Sequence, residues 1–317
     1  MQFMVKDKSK FFFLFWLSLL IIYIAGLVFD RNHSAGVGLT QIAFAHQKNI
    51  VGRQFDNLIL GGSNGAFSLS ANDLELVSGE SWYNLSIMNE GFSAYAYHEF
   101  IRSALSKEQR EKMRTVVYSS IQLFNPKEAV IRMRSRRPIS GGNSIGLTPR
   151  SSIWRHTLNC IRGQSLGYSF PLPLKNGDFD FDKFICPESK VASFNINIKR
   201  THVTSIANYI ANNIHELRES FPNARIVIVF PSVYSNGSYP NDLFNSIVSE
   251  VASLQSGFDL MLSQKVHFVF QPFFPNRDYV CGVYHHANKM GREWRTTNLW
   301  SEIMGFGFSN EPFGVRN

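Results

Sequence analysis

Three residues offer reactive chemistry at a recognisable spacing: a serine in the first third of the chain and two adjacent histidines near its end. Ser63 follows Gly61 and Gly62 after the short apolar run Phe55 to Leu60, and a helix-compatible stretch continues from it toward Val77. Strand, tight turn and helix in that order would display the hydroxyl in the open. The helix N-terminus and the serine's own N–H would then face any developing negative charge. The same serine could instead act as an N-cap, satisfying orphan N–H groups without catalysis. His285 and His286 fall in the segment Asn276 to Ile303, followed by Asn288 and Gly291. An imidazole close to Ser63 would take its proton and make nucleophilic acyl transfer possible at neutral pH. A His-His pair also suits a capping or surface role or adventitious metal binding, but adjacent histidines on a loop lack the separated ligands of a closed zinc site. Cys160, Cys186 and Cys281 have no CxxC spacing, so neither a metal nor a cofactor is expected.

The elements that must position these groups follow from periodicity. Apolar strands are expected at Phe55 to Leu60, Ser81 to Ile87, Thr115 to Leu123, Arg225 to Phe230 and, last, Val266 to Phe270. Helical patterns fall at Ala94 to Leu105, Ile206 to Ser220, Asp242 to Leu254 and Trp294 to Ile303, the histidines lying on the loop before the last of these. Buried strands alternating with helices indicate an α/β fold with a mainly parallel sheet covered on both faces. Catalytic groups in such sheets sit just beyond the carboxyl ends of the strands, where Ser63 falls.

The chain of 317 residues, 44% hydrophobic and 14% aromatic, can fill a sizeable core, which excludes disorder and fibre. Residues 11–29 carry no charge and are long enough to span roughly the 30 Å hydrocarbon core. An uncleaved transmembrane anchor is expected there, with residues 1–10 in the cytoplasm because Lys6, Lys8 and Lys10 precede it. The domain after it would then lie in the periplasm of a bacterial inner-membrane protein, with residues 30–54 as a polar connector and 55–317 as one α/β domain. In an oxidising compartment Cys160 and Cys186 could pair while Cys281 stays free. The net charge of +8 (32 Lys+Arg against 24 Asp+Glu) is concentrated in an insertion at about residues 129–177, which has no acidic residue and includes Arg132, Arg134, Arg136, Arg137, Arg150, Arg155 and Arg162. It reads equally as a solvated loop or as an electropositive rim for an anionic polymer or lipid headgroups, with Arg134, Arg136 and Arg137 as candidate contacts. Export argues against nucleic acid as a partner.

Four features together resemble the SGNH/GDSL-like hydrolase superfamily, in particular its membrane-anchored branch of exopolysaccharide and cell-wall acyltransferases and esterases. They are Gly61-Gly62-Ser63 after the first strand, Asn84-Leu85-Ser86 with Gly91 after the second, RIVIVFPSVY at 225–234, and His286-Ala287-Asn288-Lys289-Met290-Gly291. The resemblance covers roughly residues 55–125 and 200–305 and implies a three-layer α/β/α domain. It implies Ser63 as nucleophile, the N–H groups of Ser63 and Gly91 as oxyanion donors and His286 as base, with His285 as the alternative. Where the family places an Asp three residues before the base, this chain has Val283, and Asp278 is the nearest carboxylate. A side-chain oxyanion donor is expected among Ser119, Ser120, Gln122 and Asn125. The implied partners are a polysaccharide or cell-wall glycan and a membrane acyl-donor protein. A non-catalytic polysaccharide-binding role and a lipase-like activity on membrane lipid stand as alternatives.

Overall fold

The computed structural model describes residues 15–18, 20, 39–87, 94–124, 173–181, 202–235, 241–255, 266–270, 273–281 and 283–305. The chain divides into two compact units, residues 1–37 with 142–170 and residues 38–141 with 171–317. Of the first, only residues 15–18 and 20 are described; they are helical, and Phe15, Trp16, Leu17 and Leu20 are exposed. Among the described residues no helix is long and apolar enough to cross a membrane. The rest of the expected anchor, and Arg132, Arg134, Arg136, Arg137, Arg150, Arg155 and Arg162, lie outside the described residues.

The second unit is a three-layer α/β domain. Its strands β1 (Asn57–Gly61), β2 (Trp82–Asn84), β3 (Thr115–Ser119), β4 (Arg225–Phe230) and β5 (Val266–Phe270) form one parallel sheet in the order β2-β1-β3-β4-β5. Register sets Ile59 opposite Asn84 and Gly61 opposite Ser119, so the carboxyl ends of the three neighbouring strands finish side by side. The order reverses at β1, which places a topological switch point there, the usual ligand position in an open sheet.

Alternation along each strand divides the core. Leu58, Leu60, Tyr83, Val116, Tyr118, Ile226 and Ile228 face helices α1 (Leu39–Ile50), α4 (Ala94–Ala104), α6 (Val203–Ser220) and α7 (Asn241–Gln255). Ile59, Trp82, Val117, Val227 and Val229 face α3 (Ala71–Ser78) and α8 (Lys289–Gly305). Each fully buried leucine or isoleucine stabilises by about 1.5–3 kcal/mol. Two short helices, α2 (Ser63–Ser68) and α5 (Lys107–Lys112), complete this part of the chain. The α5 helix starts at a capping box in which Ser106 and Gln109 satisfy each other's backbone N–H.

The structure departs from the periodicity in four places. The expected strand 81–87 is regular only over Trp82–Asn84, although Leu85 and Ile87 still donate backbone N–H groups to Ile59 and Gly61, and the run 115–123 leaves the sheet at Ser119 to form a 3-10 turn, Ile121–Phe124. Residues 39–50, expected as connector, form α1, whose Ile42, Ala43, His46 and Ile50 are buried. Val266–Phe270 is not the last strand: an antiparallel pair follows, β6 (Val280–Cys281) and β7 (Val283–Ala287), with Cys281 opposite Val283. The two histidines are therefore on a strand and not on a loop. Cys281 is also not free, because it is disulfide-bonded; Cys160 and Cys186 lie outside the described residues.

Candidate active site

The site is built where β1 ends. Gly61 has φ +131°, and a Cβ there would sit 1.9 Å from the Ser119 carbonyl oxygen, so only glycine fits the close approach of β1 and β3. Its N–H donates to the Tyr97 hydroxyl at 2.8 Å, which in turn donates to the Leu85 carbonyl at 3.1 Å. The Gly62 N–H donates to Ser119 O at 3.2 Å. Gly62, in extended conformation, occupies the N-cap position of α2, and Ser63 is the first helical residue. The capping role considered for Ser63 thus falls to the glycine. Ser63 is buried to 6% exposure, and among the described residues its hydroxyl makes no hydrogen bond.

Helix α2 is buried along its whole length and packs against β7. The contact is aromatic: the Phe67 ring lies 4.6 Å from the half-buried His286 imidazole, centroid to centroid. On its other side Phe67 stacks on Phe179 at 5.1 Å and meets Phe181 edge-on at 6.3 Å. The Arg292 guanidinium caps this group, 4.3 Å above the Phe181 ring and donating to the Phe179 carbonyl at 3.2 Å. Ser63 and His286, 223 positions apart in sequence, are thereby carried on two elements in direct contact.

The turn after His286 is fixed by Asn288 and Gly291. Asn288 donates to the Asp278 carbonyl and accepts the Gly291 N–H at 2.9 Å. A Cβ at Gly291 would lie 2.0 Å from the Tyr279 carbonyl oxygen. The Asn and Gly that single out His286 in the sequence therefore serve to hold the strand-to-helix turn behind it. Asp278 contributes only backbone to this arrangement. Its side chain is exposed, and among the described residues no hydrogen bond joins its carboxylate to His286.

Beneath α2 lies a polar network that joins Asn84, marked by its motif after the second strand, to Asp178, which sequence reasoning missed. Asn84, at the end of β2, donates to the carbonyls of Gly65 and Leu69, both at 3.1 Å, and to Asp178 at 3.3 Å, while accepting the Ser86 N–H at 3.1 Å. Asp178 is 2% exposed and also accepts from the N–H groups of Ala71 at 2.8 Å and Asn72 at 3.0 Å, from Ser70 Oγ and from Asn176 Nδ2. Burial raises its pKa above the ordinary carboxylate range, opposed by Arg292 and by the two backbone N–H donors. The network ties both ends of α2 to the sheet. A signal was present, since Asp178 is the first acidic residue after the acid-free stretch 129–177.

Of the remaining candidates, Gly91 and Asn125 lie outside the described residues, and the side chains of His285 and Gln122 are not described. Ser120 is buried. Ser119 is buried with its hydroxyl accepting from Arg295 at 2.7 Å, which turns it toward the interior of the α8 face. Among the described residues no group of three or more His, Cys, Asp or Glu could hold a metal ion.

No family model matches the chain, and no curated protein matches it. Several solved structures are similar in shape. One is an acetyl xylan esterase, Est2A, from the rumen bacterium Butyrivibrio proteoclasticus, at 11% identity over 80% of this chain and 64% of that one, TM-score 0.41. Another is an active-site mutant of a family two carbohydrate esterase from Clostridium thermocellum, at 12% identity over 82% and 65%, TM-score 0.41. A third is the periplasmic domain of a lipopolysaccharide acetyltransferase from Salmonella ser. Paratyphi A, at 11% over 89% and 97%, TM-score 0.37. The chain spans just under two thirds of the length of the two esterases. With TM-scores below 0.5, these similarities do not define what this chain does, which rests on its own residues.

Proposed function

We propose that the chain is a membrane-anchored, extracytoplasmic SGNH-like esterase or acyltransferase acting on O-acyl groups of a polysaccharide or cell-wall glycan. One observation supports the reading: α2, which carries Ser63, packs against β7, which carries His286, with the Phe67 ring against the His286 imidazole. Ser63 Oγ attacks the acyl carbonyl as His286 takes its proton. The tetrahedral oxyanion is held by the Ser63 N–H and, following the sequence resemblance, that of Gly91. Collapse expels the sugar alkoxide, which receives the proton from His286 and leaves an acyl-Ser63 ester. Water completes hydrolysis, or a second sugar hydroxyl completes transfer, with His286 again taking the proton from the incoming group.

The rest of the reading draws on sequence. Residues 11–29 would anchor the chain in a bacterial inner membrane with residues 1–10 cytoplasmic, and the disulfide at Cys281 is in keeping with an oxidising compartment. Arg134, Arg136 and Arg137 would lend positive charge to glycan capture, and a membrane acyl-donor protein would supply the acyl group for transfer. The test is release of acetate from an O-acetylated polysaccharide by the full chain and by Ser63→Ala. Release lost in Ser63→Ala supports the reading, and equal release by both contradicts it.

A second reading, a non-catalytic polysaccharide-binding component of a synthesis or export complex, is favoured by the exposed Asp278 side chain and by the absence, among the described residues, of a hydrogen bond at Ser63 Oγ. Polysaccharide binding that persists in a Ser63→Ala/His286→Ala double variant, in a wild type that releases no acyl group, would select it.

A further inference from the structure

We propose that Arg295 is a positioning residue that fixes the Ser63 turn relative to His286, an inference that rests on the catalytic reading of that pair. Arg295 is 0% exposed. Burying a guanidinium costs several kcal/mol, and an apolar side chain of similar volume is often neutral or stabilising in its place. What an apolar side chain cannot do is reach two acceptors at once with a planar fork of donors. One Arg295 nitrogen donates to the Asn64 carbonyl at 3.1 Å, and another donates to Ser119 Oγ at 2.7 Å. Asn64 directly follows Ser63. Ser119 holds the residue directly before Ser63, because its carbonyl accepts the Gly62 N–H. One side chain thus bonds directly to the residue after the nucleophile and, through the Ser119 hydroxyl, to the strand residue whose carbonyl holds the residue before it.

The grip extends along the helix. Thr296, 1% exposed, accepts the Ser70 N–H through its hydroxyl at 3.1 Å, just beyond the far end of α2. Helix α8, which carries Arg295 and Thr296, begins three residues after His286, and the turn between them is locked by Asn288. Leu299 and Ile303 seat the same helix under the sheet. A continuous helix therefore runs from the base to both ends of the nucleophile's helix, so that Ser63 and His286 share one frame. Loss of the Arg295 fork would leave the residues in place but free the Ser63 turn to shift, and a misplacement near 1 Å costs about 100-fold in rate.

The experiment measures kcat and KM for 4-nitrophenyl acetate with the full chain in detergent, normalised to the folded fraction from thermal unfolding, for wild type, Ser63→Ala, Arg295→Met, Arg295→Lys and Ser119→Ala. The expected result is a kcat about 100-fold lower in Arg295→Met with KM little changed. Partial recovery is expected in Arg295→Lys, which keeps the cation and one bond, and a smaller kcat loss in Ser119→Ala. If Arg295→Met does not fold, Ser119→Ala, which removes only one hydroxyl, decides. Wild-type kcat per folded molecule in either variant, or a loss confined to KM, overturns the positioning role and leaves the Ser63 reading intact. A wild type with no Ser63-dependent turnover overturns both.

Discussion

The imidazole of His286 rests against the ring of Phe67, 4.6 Å away between centroids, and Phe67 stands one helical turn beyond Ser63. A buried helix of six residues thus carries both the proposed nucleophile and the ring against which the proposed base rests. Replacing Phe67 with leucine keeps the site apolar but removes the flat face. The expected outcome is a fall in acyl-transfer rate of roughly tenfold or more with a stability loss near 1–2 kcal/mol, read from kcat and from chemical denaturation of the same preparation. A rate equal to wild type would show that the stacking does not orient the imidazole.

His286 itself is half-buried, so removing its ring disturbs packing less than chemistry. If His286 is the base as proposed, His286→Gln lowers kcat on the order of 1,000-fold while the unfolding midpoint moves little. The same substitution at His285 separates the two candidates: the variant with the larger kcat loss identifies the base.

Gly61 admits no side chain. With φ +131° and the Ser119 carbonyl oxygen 1.9 Å from where a Cβ would stand, Gly61→Ala must push β1 and β3 apart. The expected cost is more than about 2 kcal/mol, measured by urea denaturation, together with loss of activity. A Gly52→Ala control has open space around its Cβ position but also a positive φ of 73°, so it should cost only about 1 kcal/mol.

Asp178 accepts five hydrogen bonds, three from Ser70, Ala71 and Asn72 at the start of α3, one from Asn84 on β2 and one from Asn176. Asp178→Ala leaves the N–H groups of Ala71 and Asn72 and the amide of Asn84 short of an acceptor, and is expected to destabilise by about 3–5 kcal/mol. The check is calorimetric unfolding, with Asp180→Ala as the neighbouring carboxylate for comparison.

Burial pushes the pKa of His46 down from 6.5 to about 3, with the Ser86 backbone acting in the opposite direction. The folded chain therefore keeps this ring neutral while the unfolded chain takes up a proton below 6.5, so this contribution to stability is present above pH 6.5 and is lost as pH falls toward 3. The limiting slope is about 1.4 kcal/mol per pH unit. Unfolding midpoints measured from pH 7 to 4 should fall less steeply in His46→Gln, and parallel curves for the two proteins would refute the assignment.

The centre of the sheet is legible in the sequence because β1 and β4 are apolar runs closed by Gly61-Gly62 and by Pro231, so the expected 55–60 and 225–230 lie within about two residues of the strands. The helix 39–50 is not, because half of its twelve residues are polar and its described buried positions are Ile42, Ala43, His46 and Ile50, one of them a histidine. The strand bearing His286 was missed for a related reason. Among the described residues it pairs with the two residues of β6, and so short a pairing gives no periodic signal. Ser63 and His286 were legible as chemistry because glycines and an Asn mark their turns. Phe67, Asp178 and Arg295 were not, since each acts through a tertiary contact whose partner is distant in sequence, from Asp178 and Asn84 at 94 positions apart to Arg295 and Asn64 at 231.

The central claim is that Ser63 forms a covalent acyl intermediate. The most direct measurement is intact-protein mass spectrometry after rapid acid quench of the full chain with 4-nitrophenyl acetate, followed by peptide mapping. The expected result is a single added acetyl group on Ser63 in wild type, accumulating further in His286→Gln if deacylation slows more than acylation, and none in Ser63→Ala. Wild type with no adduct, or an adduct that persists in Ser63→Ala, would contradict it.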